Sequence, residues 1–269
     1  MRVFIPKGSK HKPSQHLSDC DEDSDKIVKG HDYTRWTRPW ELQSSGCRWW
    51  FWDNPLIPQL TPHTDKSWCR LVQGGHFPFR SELSLGDPEP ALARFREVTG
   101  EHLRDRVPVQ AVRPGDSRTV LWAESSDNNH RHYLGVSTEE LYKLIERECS
   151  RQGLRLERRP KLSRGQRDPI DPSPYRCVIV SHSAIETEVL CLGRPVVTIG
   201  QGTMGTLATT WSEFQQGQLK SAREDQVLRR VEQLMACTAY KKDLFSGQWH
   251  QYHPRQDQGD TKWIKQFNG

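Results

Sequence analysis

The sequence predicts an α/β protein, a layered fold whose second half is built on a parallel sheet. Three observations predict it. In the second half, apolar stretches of strand length alternate with helix-length amphipathic stretches, the pattern of strands joined by crossover helices. One segment, Cys177 to Gly200 (CVIVSHSAIETEVLCLGRPVVTIG), is apolar and free of lysine, and reads as strand, turn, short helix, strand. The first half carries short aromatic strands between long polar stretches, which predicts a smaller, irregular α/β unit there.

Each element has its own signal. MRVFIP reads as a first strand stopped by Pro6. Residues 7–32 form a long polar stretch with an acidic middle, the composition of a solvated loop. GCRWWFWDNPLI, residues 46–57, reads as a strand ending at Asp53-Asn54-Pro55, and WCRLVQGGHFPF as another with a Gly-Gly turn. EPALARFREVTG is a short helix stopped by Gly100. SRTVLWAESS is a strand that runs into a polar loop. STEELYKLIERECSRQG is the best helix in the chain. Ser137 caps it, Glu140 holds the capping-box position, Leu141, Leu144, Ile145 and Cys149 make its apolar face, and Gly153 ends it. LRLERRPK is the next strand, and DPIDPSPY connects it to the apolar unit. SAREDQVLRRVEQLMACTA is a further helix with Val227, Val231, Leu234 and Met235 on one side, followed by a polar tail after Trp249. These elements divide the chain at VRPGDSR into residues 1–115, residues 116–225, and a C-terminal helix and tail over 226–269 that pack back on the body.

Composition bounds the partners. The 269 residues carry a formal charge of +5, which suits an anionic partner such as a nucleotide, a nucleic acid or an acidic glycan. Ten Trp suit stacking on bases and sugar rings, or plain core filling. Seven scattered Cys, with no CxxC spacing, fit reduced thiols in a cytoplasm better than a disulfide framework or a zinc site. The apolar run at the N-terminus is too short for a signal peptide, and no stretch predicts a transmembrane segment.

The chemistry concentrates where the apolar unit turns. In open α/β sheets ligands gather beyond the carboxyl ends of strands. Ser181, His182 and Ser183 fall at such an end. Ser183 with Glu186 spells S-x-x-E, a capping box that starts a helix there and aims its amides at the same edge. That edge suits a phosphate, and equally an ordinary capped helix. Glu188, one turn on from Ala184, is placed to accept a sugar diol, and the glycines of GQGTMGT permit close backbone approach to a ligand.

VIVSHSAIETEVLCLGRPVVTIG resembles the donor-site signature of GT-B glycosyltransferases, most closely the capsule-polysaccharide, Kdo-transferase-like branch. Ser183 matches its turn serine, Glu188 its glutamate, and Gly193 and Pro195 its exit into the next strand. VLWAESS and RRPK resemble the first strand and the basic region of the same nucleotide-binding domain. WWFWDNPLIPQ, WCRLVQGGHFP and EQLMACTAYKKDLFSGQW resemble segments of glycosyltransferase-like bacteriophage proteins. The resemblance implies a GT-B-like fold: a Rossmann-like C-terminal domain facing a smaller N-terminal, acceptor-side α/β domain. It also implies a metal-independent glycosyltransferase in the cytoplasm, of a bacterial host if phage-encoded. That enzyme takes a nucleotide sugar as co-substrate and no cofactor, and moves the sugar to a hydroxyl of a hydroxymethylated DNA base or of a surface polysaccharide. Donor contacts then fall on Ser125, Ser126, Arg159, Lys161, Ser181, His182, Ser183 and Glu188. A base from the opposite wall is expected at Asp53, with His76 next and Glu124 or Asp127 still open. Two other readings compete. One is a relative that binds nucleotide or nucleic acid without chemistry. The other is a nucleic-acid-binding factor, although the sequence carries no recognition-helix, zinc-finger or RNP-type motif.

Overall fold

A computed structural model of the chain describes residues 26–29, 49–53, 55–60, 68–73, 86–161, 169–181, 183–200, 202–246 and 248–252. The first-strand expectation for MRVFIP lies outside the described residues, as does the tail beyond Tyr252.

Among the described residues the architecture is mixed α/β with two sheets. The larger has five strands: β4 (Thr119–Ala123), β5 (Arg155–Arg159), β6 (Val178–Ser181), β7 (Val196–Ile199) and β8 (Thr209–Thr210). Their spatial order is β5-β4-β6-β7-β8 and every neighbouring pair is parallel. β6 and β7 are buried along their whole length, as parallel strands covered on both faces must be. Alternate side chains feed two cores. Leu121, Ala123, Val178, Val180 and Val196 face α5 (Ile185–Cys191) and α7 (Glu224–Leu234), through Val189, Leu190, Val227, Val231 and Leu234. Val120, Trp122, Ile179, Val197 and Ile199 face α4 (Thr138–Arg151), through Leu141, Ile145 and Cys149, and Phe214 of α6 (Trp211–Gln215). Each such aliphatic side chain contributes about 1.5–3 kcal/mol by leaving water.

The smaller sheet has the order β1-β2-β3-β9, with β1 (Lys26–Lys29) parallel to β2 (Trp49–Asp53) and the other pairs antiparallel. β9 (Thr238–Tyr240) arrives from the C-terminal side, directly after α7 and the turn Met235–Cys237, and pairs with β3 (Trp68–Gln73). Trp68 packs on Phe95 of α1 (Glu89–Thr99) and on Tyr240. Arg94 of α1 donates twice to Asp243 of α8 (Lys241–Ser246), at 2.8 Å each. Trp249 is buried beside Cys69, Leu71, Ala239 and Leu244. Gly100 ends α1 with φ 73, a left-handed conformation that a side chain would strain. A short α2 (Leu103–Arg106) follows, and Val112 then bridges Ala222 where the chain enters the larger sheet.

Several local expectations needed correction: Lys26–Lys29, inside the polar stretch read as a loop, is strand β1, and the helix expected over SAREDQVLRRVEQLMACTA ends at Leu234, with its last residues entering β9. The capping box of α4 forms: the Glu140 amide donates to Ser137 Oγ at 3.2 Å, and the Ser137 amide to Glu140 Oε2 at 2.7 Å. Leu144, however, lies 36% exposed, off the buried stripe of Leu141, Ile145 and Cys149. Those three recur every fourth residue, and Leu144 falls on the edge of that stripe. Glu148 is the buried residue instead, held by Arg151 at 2.6 Å and by Gln152 at 2.7 Å. The stretch after SRTVLWAESS is not a loop. It folds as α3 (Asp127–Leu134), whose first turn is closed by Asn129 N donating to Ser126 Oγ at 3.3 Å. The polar run DNNHRHYL conceals a helix whose one buried residue among those described is the polar His130. Among the described residues no helix is long and apolar enough to cross a membrane.

Candidate functional site

Counted in chain order, the larger sheet runs second, first, third, fourth, fifth. Connections leave β4 and β6 in opposite directions, so a topological switch point lies at their carboxyl ends, where open α/β sheets hold ligands. The sequence-predicted Ser125 and Ser126 follow β4, and Ser181 ends the adjacent β6. The structure brings these three to one edge. Arg159 ends the neighbouring strand β5, with its carbonyl accepting from the Glu124 amide at 3.0 Å, and Lys161 follows with its amide donating to Glu124 Oε2 at 3.4 Å. Glu124 also accepts from Arg158, whose guanidinium lies over the rings of Trp122 and Tyr142.

The hydroxyls at this edge differ in what they can offer. Ser125 Oγ accepts from Asn129 Nδ2 at 2.9 Å, and Ser126 Oγ accepts from the Asn129 amide. A hydroxyl that accepts retains its own hydrogen for a ligand oxygen. Ser183 Oγ likewise accepts, from the Ile185 amide at 3.3 Å. Ser181 is different: it is 0% exposed and meets His130 Nε2 at 2.8 Å. His130, 1% exposed, places Nδ1 2.8 Å from Thr138 Oγ1 and stacks on Trp122. Burial pushes the imidazole below its usual range, Glu124 and Asp127 push it up, and Lys161 opposes them. Sequence reading missed His130, Asn129 and Thr138. The signal that could have found them is Ser126-x-x-Asn129, a cap spacing that places a buried His one turn along.

The turn into α5 departs from expectation. Glu186 does not close a capping box with Ser183. The helix begins one residue later, after Ala184, whose side chain makes no cap. Glu186 is 1% exposed and its carboxylate reaches into the loop after β7. It accepts from Thr203 N at 2.8 Å, Thr203 Oγ1 at 3.3 Å and Met204 N at 2.9 Å. Arg230 of α7 holds the same loop by donating to the Thr203 carbonyl at 3.0 and 2.7 Å. A Cβ on Gly202 would lie 2.6 Å from both carboxylate oxygens of Glu186, so this glycine makes room for protein rather than for a ligand. A buried carboxylate needs such donors, and two successive amides supply them better than a short helix end does.

Glu188 sits half-buried on α5, near enough to the Cys191 thiol to help push it up to about 12, after the larger effect of burial. Asp53 ends β2 in the smaller sheet, in register with Arg70. His76 and His182 lie outside the described residues. Among the described residues no cluster of His, Cys, Asp and Glu is placed to hold a metal ion. A pocket of about 130 Å³ opens beside the loop after β7, lined by Met204, Thr206, Leu207, Gln226, Arg229 and Gln233 among others. Another of about 280 Å³ lies between the C-terminal ends of α4 and α6, with Arg118 and Arg176 in its wall. That one borders the amino ends of β4 and β6, the side of the sheet opposite the switch point. No protein-family model and no curated protein matches the chain.

Proposed function

We propose that the chain is a GT-B-like, metal-independent glycosyltransferase that takes a nucleotide-sugar donor. The observation that carries this reading is the parallel sheet of order β5-β4-β6-β7-β8 with Ser125 and Ser126 at its switch point, both hydroxyl oxygens accepting from Asn129. In this reading the donor phosphates rest against Ser125, Ser126 and Ser183, with Arg159 and Lys161 as cations and Glu188 for the ribose diol. Ser181, buried at the end of β6, backs the crevice, and His182 is a further proposed donor contact. Transfer breaks the bond between the sugar and the phosphate oxygen, forms a bond to the acceptor oxygen, and sends the acceptor proton to a base. Asp53, or else His76, is the proposed base. Stabilising charge on the departing diphosphate is where such a site accelerates the reaction most.

The acceptor is a hydroxymethylated DNA base or a surface glycan. A duplex base has to leave its stack to be reached. The competing reading, a relative that binds nucleotide without turning it over, shares the same crevice. The test has two stages. Thermal shift with a panel of nucleoside diphosphates is expected to raise Tm by an amount that grows with concentration, by RT ln(1 + [L]/Kd). Ser125→Ala and Glu188→Ala are expected to remove that rise. Mass spectrometry of glycan and hydroxymethylated DNA incubated with mixed nucleotide sugars then separates transferase from inactive relative. No shift with any nucleotide sinks both.

A further inference from the structure

We propose that the cavity of about 280 Å³ at the amino edge of the larger sheet is a second binding site, for a small phosphomonoester with an apolar body, and that Arg118 and Arg176 hold its phosphate. The cavity lies at the lower end of small-molecule sites, roughly 300–1,000 Å³, so it suits one small ligand and not a stretch of polymer. Arg118 directly precedes β4, and Arg176 stands two residues before β6. Those strands are neighbours, and Arg176 N donates to the Thr119 carbonyl at 2.8 Å, which brings the two arginines to adjacent positions. Further backbone bonds fix them: the Arg118 carbonyl accepts from Arg155 N at 2.9 Å, and the Arg176 carbonyl from Gly115 N at 3.1 Å. Like charges on adjacent strands repel. Among the described residues no hydrogen bond or ion pair engages either guanidinium. The carboxylates close to them in the sheet are Glu157, which Arg155 and Tyr175 occupy, and the exposed Asp116.

A plain duty for cations here is to serve the carboxyl ends of α4 and α6, which border the cavity through Gln152, Gly153, Phe214 and Gly217. Much of that duty is already met. The Cys149 carbonyl accepts from Leu154 N at 2.8 Å and the Ser150 carbonyl from Gly153 N at 3.0 Å. The Phe214 carbonyl accepts from Gly217 N at 2.8 Å and from Gln152 Nε2 at 2.7 Å, and the Gln215 carbonyl from Arg151. Gln152 and Arg151 thereby tie α4 to α6, so the walls stand before any ligand arrives. Buried Phe214 and half-buried Leu154 and Leu219 give the cavity an apolar lining. Two adjacent guanidinium groups beside such a lining define the ligand. A carboxylate balances only one of them. A phosphomonoester carries about −1.5 to −2 charges at neutral pH and three acceptor oxygens, so it balances both, and the guanidinium forks match its geometry. Its apolar body leaves water against Leu154, Phe214 and Leu219.

The test needs no nucleotide, so it stands or falls separately from the transferase reading. Phenyl phosphate is titrated into the full chain by calorimetry, with inorganic phosphate and benzoate as comparisons. Phenyl phosphate is expected to bind at least about tenfold more tightly than inorganic phosphate, which lacks the apolar body, and than benzoate, which carries one charge. Arg118→Ala and Arg176→Ala are each expected to weaken it by about tenfold or more, and Ser125→Ala, at the opposite edge of the sheet, to leave it unchanged. Binding lost in Ser125→Ala but kept in Arg118→Ala belongs to the switch point and overturns the inference, as does no binding at all. Equal affinity for benzoate overturns the choice of a phosphomonoester. Should either arginine variant fail to fold, wild-type amide spectra decide alone: the Gly153 and Gly217 resonances, from the cavity wall, are expected to move on titration, and resonances that stay still refute the site.

Discussion

Replacing Gly202 by alanine probes the one buried carboxylate that the sequence placed wrongly. The new Cβ would stand 2.6 Å from both Oε atoms of Glu186, and side-chain carbons do not approach closer than 3.0 Å. Either the carboxylate or the loop has to move. Moving either stretches the bonds from Thr203 N and Met204 N, now 2.8 and 2.9 Å, toward the limit of useful hydrogen bonding. Each bond to a charged group is worth about 1.5–3 kcal/mol, so losing one and weakening the other predicts a cost of about 2–4 kcal/mol. For a folded unit of this size that lowers Tm by roughly 5–15 °C. The assay is chemical denaturation of wild type, Gly202→Ala, Glu186→Ala and the double variant. Because the clash is with Glu186 itself, Gly202→Ala is expected to cost little once that side chain is alanine. A coupling energy above about 1 kcal/mol is the expected result of the cycle. Equal costs in the two backgrounds, or a cost below about 0.5 kcal/mol in the wild type, would falsify the cradle.

Two more outcomes follow from the same geometry. Asp127 is held down to about 2, first by the Thr138 amide and then by Arg131, so its contribution is present above 3.8 and is lost as pH falls through about 2. Asp127→Asn is expected to flatten that acid limb in urea melts run across this range, and an unchanged limb refutes it. Burial pushes the thiols of Cys149, Cys191 and Cys237 up to about 12 and raises that of Cys177 as well. A thiol reagent is expected to leave all four unlabelled in the native protein at neutral pH and to reach them only on unfolding, while prompt labelling of any one contradicts its burial.

The sequence by itself determined the elements whose signal is local. The Ser137–Glu140 box, the glycine stop after Thr99, and the apolar runs VLWA, VIVS and VVTI each carry their cause within a few residues, and each appears where the pattern puts it. Hydrophobic runs of that length announced strands buried on both faces, and hence an α/β sheet. Tertiary structure decided what those runs could not encode. The strand order, and with it the switch point, depends on which side each crossover takes. The helix DNNHRHYL is held by Ser126 and by a His130 that reaches Ser181, 51 positions away in sequence. Glu186 had a good local partner in Ser183 and chose amides 17 and 18 positions along, because a buried carboxylate takes the best donors in space rather than the nearest in sequence. β9 joins strands from the other end of the chain for the same reason: pairing groups satisfy one another wherever the packed chain brings them together.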